Sequence, residues 1–452
     1  MAIPKSLISR EMLSQMTGLK SSRTSLIPTN SSGTFEPGGN NRVIFHIPAF
    51  ANSFLNTKRS YIHFKLTSTG ANAANAVLTP GAPIFRRLLL RNSRSQVISD
   101  IDNYDVLCRI MNNKKPTSEL QGKSSVSYDH RADDAGLDYL DDFSSGKTVV
   151  HDLHDGLLGR EQEYLIPVSS MMAAAGPGAF QLELWLNDPA KVFCASTDAT
   201  GVAIGYKLTD VAYDLELVEL TPELMNDINS EISGGASIPI PYRAVRSYTN
   251  QVASGSTYKA QISDMSHDVE AVYSVIRKQS QGSAITPAVN TDLKYRSTAV
   301  DPYRFVGGRF NIGPNNALVS SDAIVTKYSY KYGQHFYPTS PVEMDIDSTL
   351  ALENIVSGFE LEQKVPFMAE RIQTSTKKVA RFETDTFVLA SNFKTTSDAN
   401  IRNGLMANAT GAPIELNMSF ASGVSNLIID TFVVSTQTLY IKMNGQSSLI
   451  KE

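Results

Sequence analysis

The sequence predicts an all-β fold of two successive sandwich or jelly-roll units, with short connecting helices and an N-terminal helical arm. Three observations carry this reading. The 452 residues are about three times a usual domain of ~150, which calls for two or three compact units. Short runs rich in β-branched and aromatic residues recur along most of the chain between polar, Gly- and Pro-containing breaks. The order of these runs in the first half returns in the second: an alternating strand at 180–187 precedes a long one at 206–220, as 414–420 precedes 426–443. The offset is roughly 210–235 residues, and no propeller-like period of ~40–50 is visible.

Composition supports the same class. Apolar residues make up 42% and charged residues 19% of the chain, enough to build cores and unlike a disordered or coiled-coil sequence. Lys+Arg 41 against Asp+Glu 45 leaves a net charge of −4, so contact with nucleic acid or an anionic membrane has to be local. Two cysteines, Cys108 and Cys194, exclude a disulfide framework and a four-thiolate zinc site. With no signal-peptide pattern at the N-terminus, the expectation is a reducing compartment. No apolar run approaches the ~18 residues of a spanning helix, so an integral membrane protein is not expected. The sequons at Asn30, Asn408 and Asn417 read as chance matches.

Along the chain, residues 1–40 form an arm in two parts. Pro4 opens a helical stretch with Ile8, Met12, Met16 and Leu19 at helical spacing and Gly18 near its stop; a tract of loop composition follows, ending Glu36-Pro37-Gly38-Gly39-Asn40. A helix of ~12–15 residues is marginal alone and has to dock on something. The arm carries Lys5, Arg10, Lys20 and Arg23 against Glu11. The plain reading of these charges is a solvated face on a docking helix; contact with nucleic acid or a membrane is the alternative.

Strands follow from residue 41. Arg42–Ile47 is rich in branched and aromatic residues, and 61–66 sets Tyr61, His63 and Lys65 opposite Ile62, Phe64 and Leu66. Further strands are predicted at 85–90, 164–168, 180–186 and 206–220, with a short helix placing Tyr104, Leu107, Cys108 and Met111 on one side. Residues 41–220 are thus the first unit. Residues 221–236 read as a linker helix, with Thr221 as cap, Pro222 in the first turn, an apolar stripe at Leu224, Met225, Ile228 and Ile232, and Gly234-Gly235 as its stop. Residues 237–452 are the second unit, with strands at 238–242, 258–262, 271–276, 304–312, 326–332, 379–389, 414–420 and 426–443 and a helix at 350–359.

Catalytic signals are sparse. Ser144-Ser145-Gly146-Lys147-Thr148 ends like a phosphate loop, but Asp141 stands where the pattern requires Gly. Gly308 and Gly313 have the spacing but are followed by Pro314-Asn315. His151-Asp152-Leu153-His154-Asp155, with Asp129 to Asp134 nearby in sequence, holds imidazoles and carboxylates of the kind that bind zinc or run acid–base chemistry. Lying in a polar tract between strands, they read as solvated loop residues. No nucleophile elbow, HExxH or Cys–His context occurs. Cys108 and Cys194 read as buried inert thiols, and the pairs Arg86-Arg87, Lys114-Lys115 and Lys377-Lys378 as solvated or interface side chains. No catalytic residue, cofactor or metal is assigned, and no enzymatic activity is expected.

A family resemblance rests on specific phrases. Arg42-Val43-Ile44-Phe45-His46-Ile47-Pro48, followed by Phe54-Leu55-Asn56-Thr57-Lys58-Arg59-Ser60-Tyr61-Ile62-His63-Phe64-Lys65-Leu66, resembles the opening strands of double jelly-roll major capsid proteins of tailless icosahedral DNA viruses, the group of polinton-like viruses, virophages and nucleocytoplasmic large DNA viruses. Tyr164-Leu165-Ile166-Pro167-Val168 and Phe180-Gln181-Leu182-Glu183-Leu184 are similar to late strands of their first roll, and Tyr206-Lys207-Leu208-Thr209-Asp210-Val211 through Leu217-Val218-Glu219-Leu220 to its closing strand. Tyr332-Gly333-Gln334-His335-Phe336-Tyr337-Pro338 is similar to a stretch of the second roll.

The resemblance implies two consecutive eight-stranded jelly rolls and a structural role. Three copies would form a pseudo-hexameric trimer that tiles an icosahedral virion shell around a DNA genome, assembled inside the host cell. Implied partners are the chain itself, neighbouring capsomers, penton and minor capsid proteins. The arm, with Lys5, Arg10, Lys20 and Arg23, would face the interior and meet such a partner, the genome or an inner membrane. The competing reading is a carbohydrate-binding or carbohydrate-processing β-sandwich. It requires a carboxylate pair in a cleft and aromatic platforms; the single Trp185, in a strand context, argues against a sugar platform, and glycan turnover lost on changing Asp152 or Asp155 would be needed to support it.

Overall fold

The computed structural model describes residues 20–30, 33–114, 143–168, 179–195, 204–279, 303–344, 351, 371–373, 378–380, 386–394, 404–407, 411–441 and 447–450, with breaks at 71–72, 74–75, 80, 82, 265, 267, 304, 313–317 and 321–322. The helix expected from Pro4 to Gly18 and nearly all of that expected at 350–359 lie outside these residues.

The first unit contains β1 (Lys20–Leu26), β2 (Arg42–Ile47), β3 (Ser53–Thr69), β4 (Ala76–Leu78), β5 (Phe85–Asn92), β6 (Val97–Ile101), α1 (Tyr104–Lys114), β7 (Lys147–His151), β8 (Ile166–Pro167), β9 (Phe180–Leu186), α2 (Pro189–Val192), β10 (Phe193–Ala195) and β11 (Gly205–Glu219). Two antiparallel sheets result, β1-β11-β3-β7, extended by β8, and β2-β9-β5-β6; β4 and β10 form a small separate pair. Alternation decides which face is inside: Ile62, Phe64 and Leu66 of β3 are buried, while Tyr61, His63 and Lys65 reach the other face. The sheets close on each other through aromatic contacts, Phe45 with Tyr213 at 5.7 Å between ring centroids and Phe64 with Phe85 at 5.8 Å.

β1 differs from the loop composition read for this tract. It pairs antiparallel with β11, Lys20 opposite Glu219 through Leu26 opposite Tyr213. Its residues are exposed or half-buried along the whole strand, so no apolar alternation marks it in the sequence, and backbone pairing defines it. Beyond it, Asn30 fixes the chain to β2: its Nδ2 donates to the Arg42 carbonyl at 2.6 Å and its Oδ1 accepts from Ile44 N at 3.0 Å.

The connection between units is α3 (Pro222–Ser233), formed as its sequence dictates. Thr221 caps it, accepting from Leu224 N, Pro222 opens it, and Leu224, Met225, Ile228 and Ile232 are buried.

The second unit contains β12 (Ile238–Ile262), β13 (Val269–Lys278), β14 (Phe310–Ile312), β15 (Leu318–Ser320), β16 (Val325–Tyr332), β17 (His335–Glu343), β18 (Arg371–Gln373), β19 (Lys378–Ala380), β20 (Leu389–Asn392), β21 (Ile414–Ile441) and β22 (Ser447–Ile450). β14 pairs with β15 and β18 with β19; the other strands share one hydrogen-bonded system. β12 and β21 form its spine, an antiparallel ribbon from Ile238 opposite Ile441 to Ile262 opposite Ile414, with a register shift between Gly255 and Thr257. At one end the ribbon joins β13 and β20, at the other β16 and β17. It therefore belongs to two four-stranded layers at once. These layers face each other: Tyr330 of β16 donates to Ser274 Oγ of β13 at 2.9 Å, and Tyr328 to the Ala390 carbonyl of β20 at 3.3 Å.

The segments 414–420 and 426–443, read as two strands, are mostly one, because the backbone passes from layer to layer without a turn. Strands 238–242 and 258–262 likewise merge into β12. Among the described residues both units are antiparallel sandwiches, and the chain is a double jelly roll.

Candidate functional site: sheet faces and seam

Among the described residues no group of three or more His, Cys, Asp or Glu side chains is placed to hold a metal ion, and no helix is long and apolar enough to cross a membrane.

The His151 to Asp155 segment is not the solvated loop its polarity suggested. His151, His154 and Asp155 are buried. Tyr104, from the first turn of α1, draws the segment inward: its hydroxyl lies 3.1 Å from His151 Nε2 and accepts from His154 N at 3.0 Å. Burial and the nearby Cys108 raise the Tyr104 hydroxyl well above its usual range. His154 Nδ1 lies 3.3 Å from Glu161 Oε1, and Asp152 accepts from Arg160 Nη1 at 2.6 Å. Asp155 Oδ1 accepts from Leu158 N at 2.5 Å, while Asp155 Oδ2 and the neighbouring Tyr213 hydroxyl are buried and have no partner among the described residues. Burial pushes the Asp155 carboxyl up to about 6, against three backbone N–H donors that act to lower it. Apart from Asp155 Oδ2 and the Tyr213 hydroxyl, the polar groups named here are engaged in holding the chain. The Asp129 to Asp134 tract lies outside the described residues.

This segment also meets the second unit. A Cβ on Gly156 would overlap the Arg243 carbonyl of β12, so only glycine allows the backbones this close. Gln162 Nε2 donates across the same contact to the Pro241 carbonyl at 3.4 Å.

The outer face of β2-β9-β5-β6 is a grid of paired charges around Trp185. Arg42 and Arg87 sit over the indole, 5.9 and 5.1 Å from its centroid. Arg87 bonds Asp100 and Asp102 at 2.8 and 2.9 Å, and Arg42 and Arg91 converge on Glu183 at 3.3 and 3.6 Å. Trp185 is capped by cations, Asp152 is taken by Arg160 and Asp155 is buried, which removes the aromatic platform and the carboxylate pair that the carbohydrate reading required.

The outer face of β1-β11-β3 is similar. Asp214 accepts from Ser25 and lies 2.8 Å from His63 Nδ1; Glu216 gathers Ser21, Asn56 and Arg59 within 3.5 Å. Of the four arm cations, Lys5 and Arg10 lie outside the described residues. Lys20 and Arg23 sit on β1, not on a helix. Arg23 lies over the Tyr61 ring at 5.7 Å and 3.8 Å from Glu216. Exposed pairs of this kind contribute about 0–1 kcal/mol each; their effect is to keep both faces polar. Exposed large apolar side chains, Ile27, Val97, Phe336 and Met406, are scattered. Cys108 is buried on α1, as expected.

The sequence reading missed the seam itself, where buried Asp105, Asn187, Arg277, Tyr303 and Asp430 meet. A signal existed: Asp430 interrupts the apolar run of Leu427, Ile428, Ile429, Phe432, Val433 and Val434, and a lone carboxylate there has to be paired.

No protein-family model matches the sequence, and no curated protein matches it. Solved structures do. PBCV-1 VP54, as a crystal structure fitted into a cryo-EM reconstruction of the virophage Sputnik, is similar over 96% of this chain and 97% of its own, with 10% identity and a TM-score of 0.58. Faustovirus major capsid protein is similar over 94% of this chain and 91% of its own, with 10% identity and a TM-score of 0.59. A chain of the Sputnik virophage solved by cryo-EM gives 95%, 88%, 11% and 0.53 respectively. Coverage of this extent takes in both sandwiches: this chain shares the double jelly-roll fold of those viral proteins.

Proposed function

We propose that this chain is a major capsid protein, a structural subunit and not an enzyme, that forms the icosahedral shell of a DNA virus. The observation that carries the reading is the pair of antiparallel sandwiches joined in one chain, a fold shared over more than nine-tenths of this chain with a protein solved as a virus major capsid protein. Two similar wedges per chain give a trimer six, so three copies fill a hexagonal lattice position without sixfold symmetry. Residues 41–220 and 237–452 are the two rolls, 221–236 joins them, and β1 carries the end of the 1–40 arm into the first roll. The partners are two further copies, then neighbouring capsomers and the penton and minor capsid proteins. Lys5, Arg10, Lys20 and Arg23 mark the end of the chain that meets a partner, the genome or an inner membrane. The protein resides in the virion after assembly in the host cell. Obligate interfaces of this class bury about 2,000–5,000 Å², so trimers persist on dilution.

Native mass measurement and electron microscopy of the expressed chain test this. Trimers that close into particles of uniform diameter are expected; a chain that remains monomeric at high concentration overturns the reading.

A further inference from the structure

A buried polar network crosses the seam between the two rolls. Asp430 of β21 is at its centre, fully buried. Its Oδ2 accepts from Arg277 Nε at 2.6 Å, with Arg277 Nη2 at 2.5 Å, and its Oδ1 accepts from Thr249 Oγ1 at 2.9 Å. These three residues belong to the second unit. The remaining donor comes from the first: Asn103, just before α1, gives its Nδ2 to Asp430 Oδ1 at 2.9 Å and to Thr249 Oγ1 at 2.6 Å. The traffic then reverses. Tyr303 of the second unit donates its hydroxyl to Asp105 Oδ2 of the first at 2.6 Å, and receives Asn187 Nδ2 at 2.6 Å. Asn187 Nδ2 lies 3.1 Å from the same Asp105 oxygen, and Lys191 Nζ lies 3.9 Å from it. The two halves are in electrostatic contact: burial alone would lower the Arg277 guanidinium, but the Asp430 and Asp105 carboxylates outweigh it and hold it up.

We propose that this network is an orientation lock, fixing the angle between the two jelly rolls. An apolar seam would hold the units together equally well, but apolar attraction is non-directional and tolerates tilt and sliding. Hydrogen bonds weaken steeply with misalignment, and a buried charge that loses a partner is heavily penalised. Carboxylates contributed by both units, each bonded by donors from the other, are satisfied together in one relative arrangement only. The lock deepens the shell reading and rests on it for one consequence alone: every copy would present its two wedges at the same angle, which a regular lattice requires.

The test uses the full chain with Tyr303→Phe, which keeps the ring and its packing, and Asn103→Ala at the opposite end of the network. Hydrogen exchange read by mass spectrometry is expected to quicken roughly tenfold in peptides covering 97–107 and 243–249, with the interiors of β3, β9 and β13 unchanged. The yield of regular particles is expected to fall several-fold. The inference stands only if both variants move the seam peptides. Unchanged exchange there in either variant, or a uniform increase through both rolls, overturns it. A parent chain that forms no trimer defeats the shell reading instead, and the exchange result still decides the lock.

Discussion

Asp155 gives a sharp test of how burial governs this fold. Its carboxyl is pushed up to about 6 from an ordinary 3.8 by desolvation, so the folded chain binds that proton more tightly than the unfolded chain does. The sign follows directly. The penalty is absent below pH 3.8, grows as pH rises towards 6, and is constant above. At ~1.4 kcal/mol for each tenfold step, keeping Asp155 ionised costs the folded state about 3 kcal/mol at neutral pH. Asp155→Asn retains an oxygen for Leu158 N and offers an amide towards the Tyr213 hydroxyl, which has no partner among the described residues. Titratable neighbours Tyr104, His151, His154, Glu161, Tyr213 and Tyr242 are left in place. The chain has one tryptophan, Trp185, on β9 of the same unit, so its fluorescence reports this sandwich alone. In urea the variant is expected to unfold about 1–3 M later than the parent at pH 7.5 and at nearly the same concentration at pH 4. An offset that does not change with pH, or a less stable variant at pH 7.5, refutes the reasoning.

Other outcomes follow from the same contacts. Arg277→Met strands buried Asp430 and should cost about 3–5 kcal/mol, most of it recovered by adding Asp430→Leu; calorimetry on the two variants checks the recovery. Gly156→Ala forces the 152–160 segment off β12 and should destabilise by about 1–3 kcal/mol, read as a lower melting temperature with β3 exchange unaltered. Deleting residues 1–19, which removes Lys5 and Arg10 while sparing β1, should leave trimers intact and impair particle closure; normal particles from that chain would place the arm outside assembly.

The sequence was informative wherever local chemistry decides the outcome. Ile62, Phe64 and Leu66 alternate because β3 has one dry face, and Thr221, Pro222 and Gly234 delimit α3 by their own backbone preferences. β1 escaped because an edge strand exposed along its length needs no apolar pattern. The crossing in β21 escaped because Ala421, Ser422 and Gly423 have a turn's composition, yet the strand runs on through them within the register shift between Val424, opposite Gly255, and Ser419, opposite Thr257. His151 and Asp155 were misjudged as solvated for a similar reason: what buries them is Tyr104, supplied from far along the chain. Long-range partners also define the seam, where Asp430 is legible only as a polar residue out of place.

Strand order in the two sandwiches bears on how the chain is made. β1 is completed by β11, Lys20 lying opposite Glu219, and β12 by β21, Ile238 opposite Ile441. Each roll therefore ends with the strand that its beginning awaits, and during synthesis the ribosome must deliver nearly a whole roll before the first edge is covered. Such non-local closure is intrinsically slow, and it leaves nascent edges open to strands from other chains being translated nearby. A protein made in large numbers on this plan gains from anything that shields those edges until residues 219 and 441 have emerged.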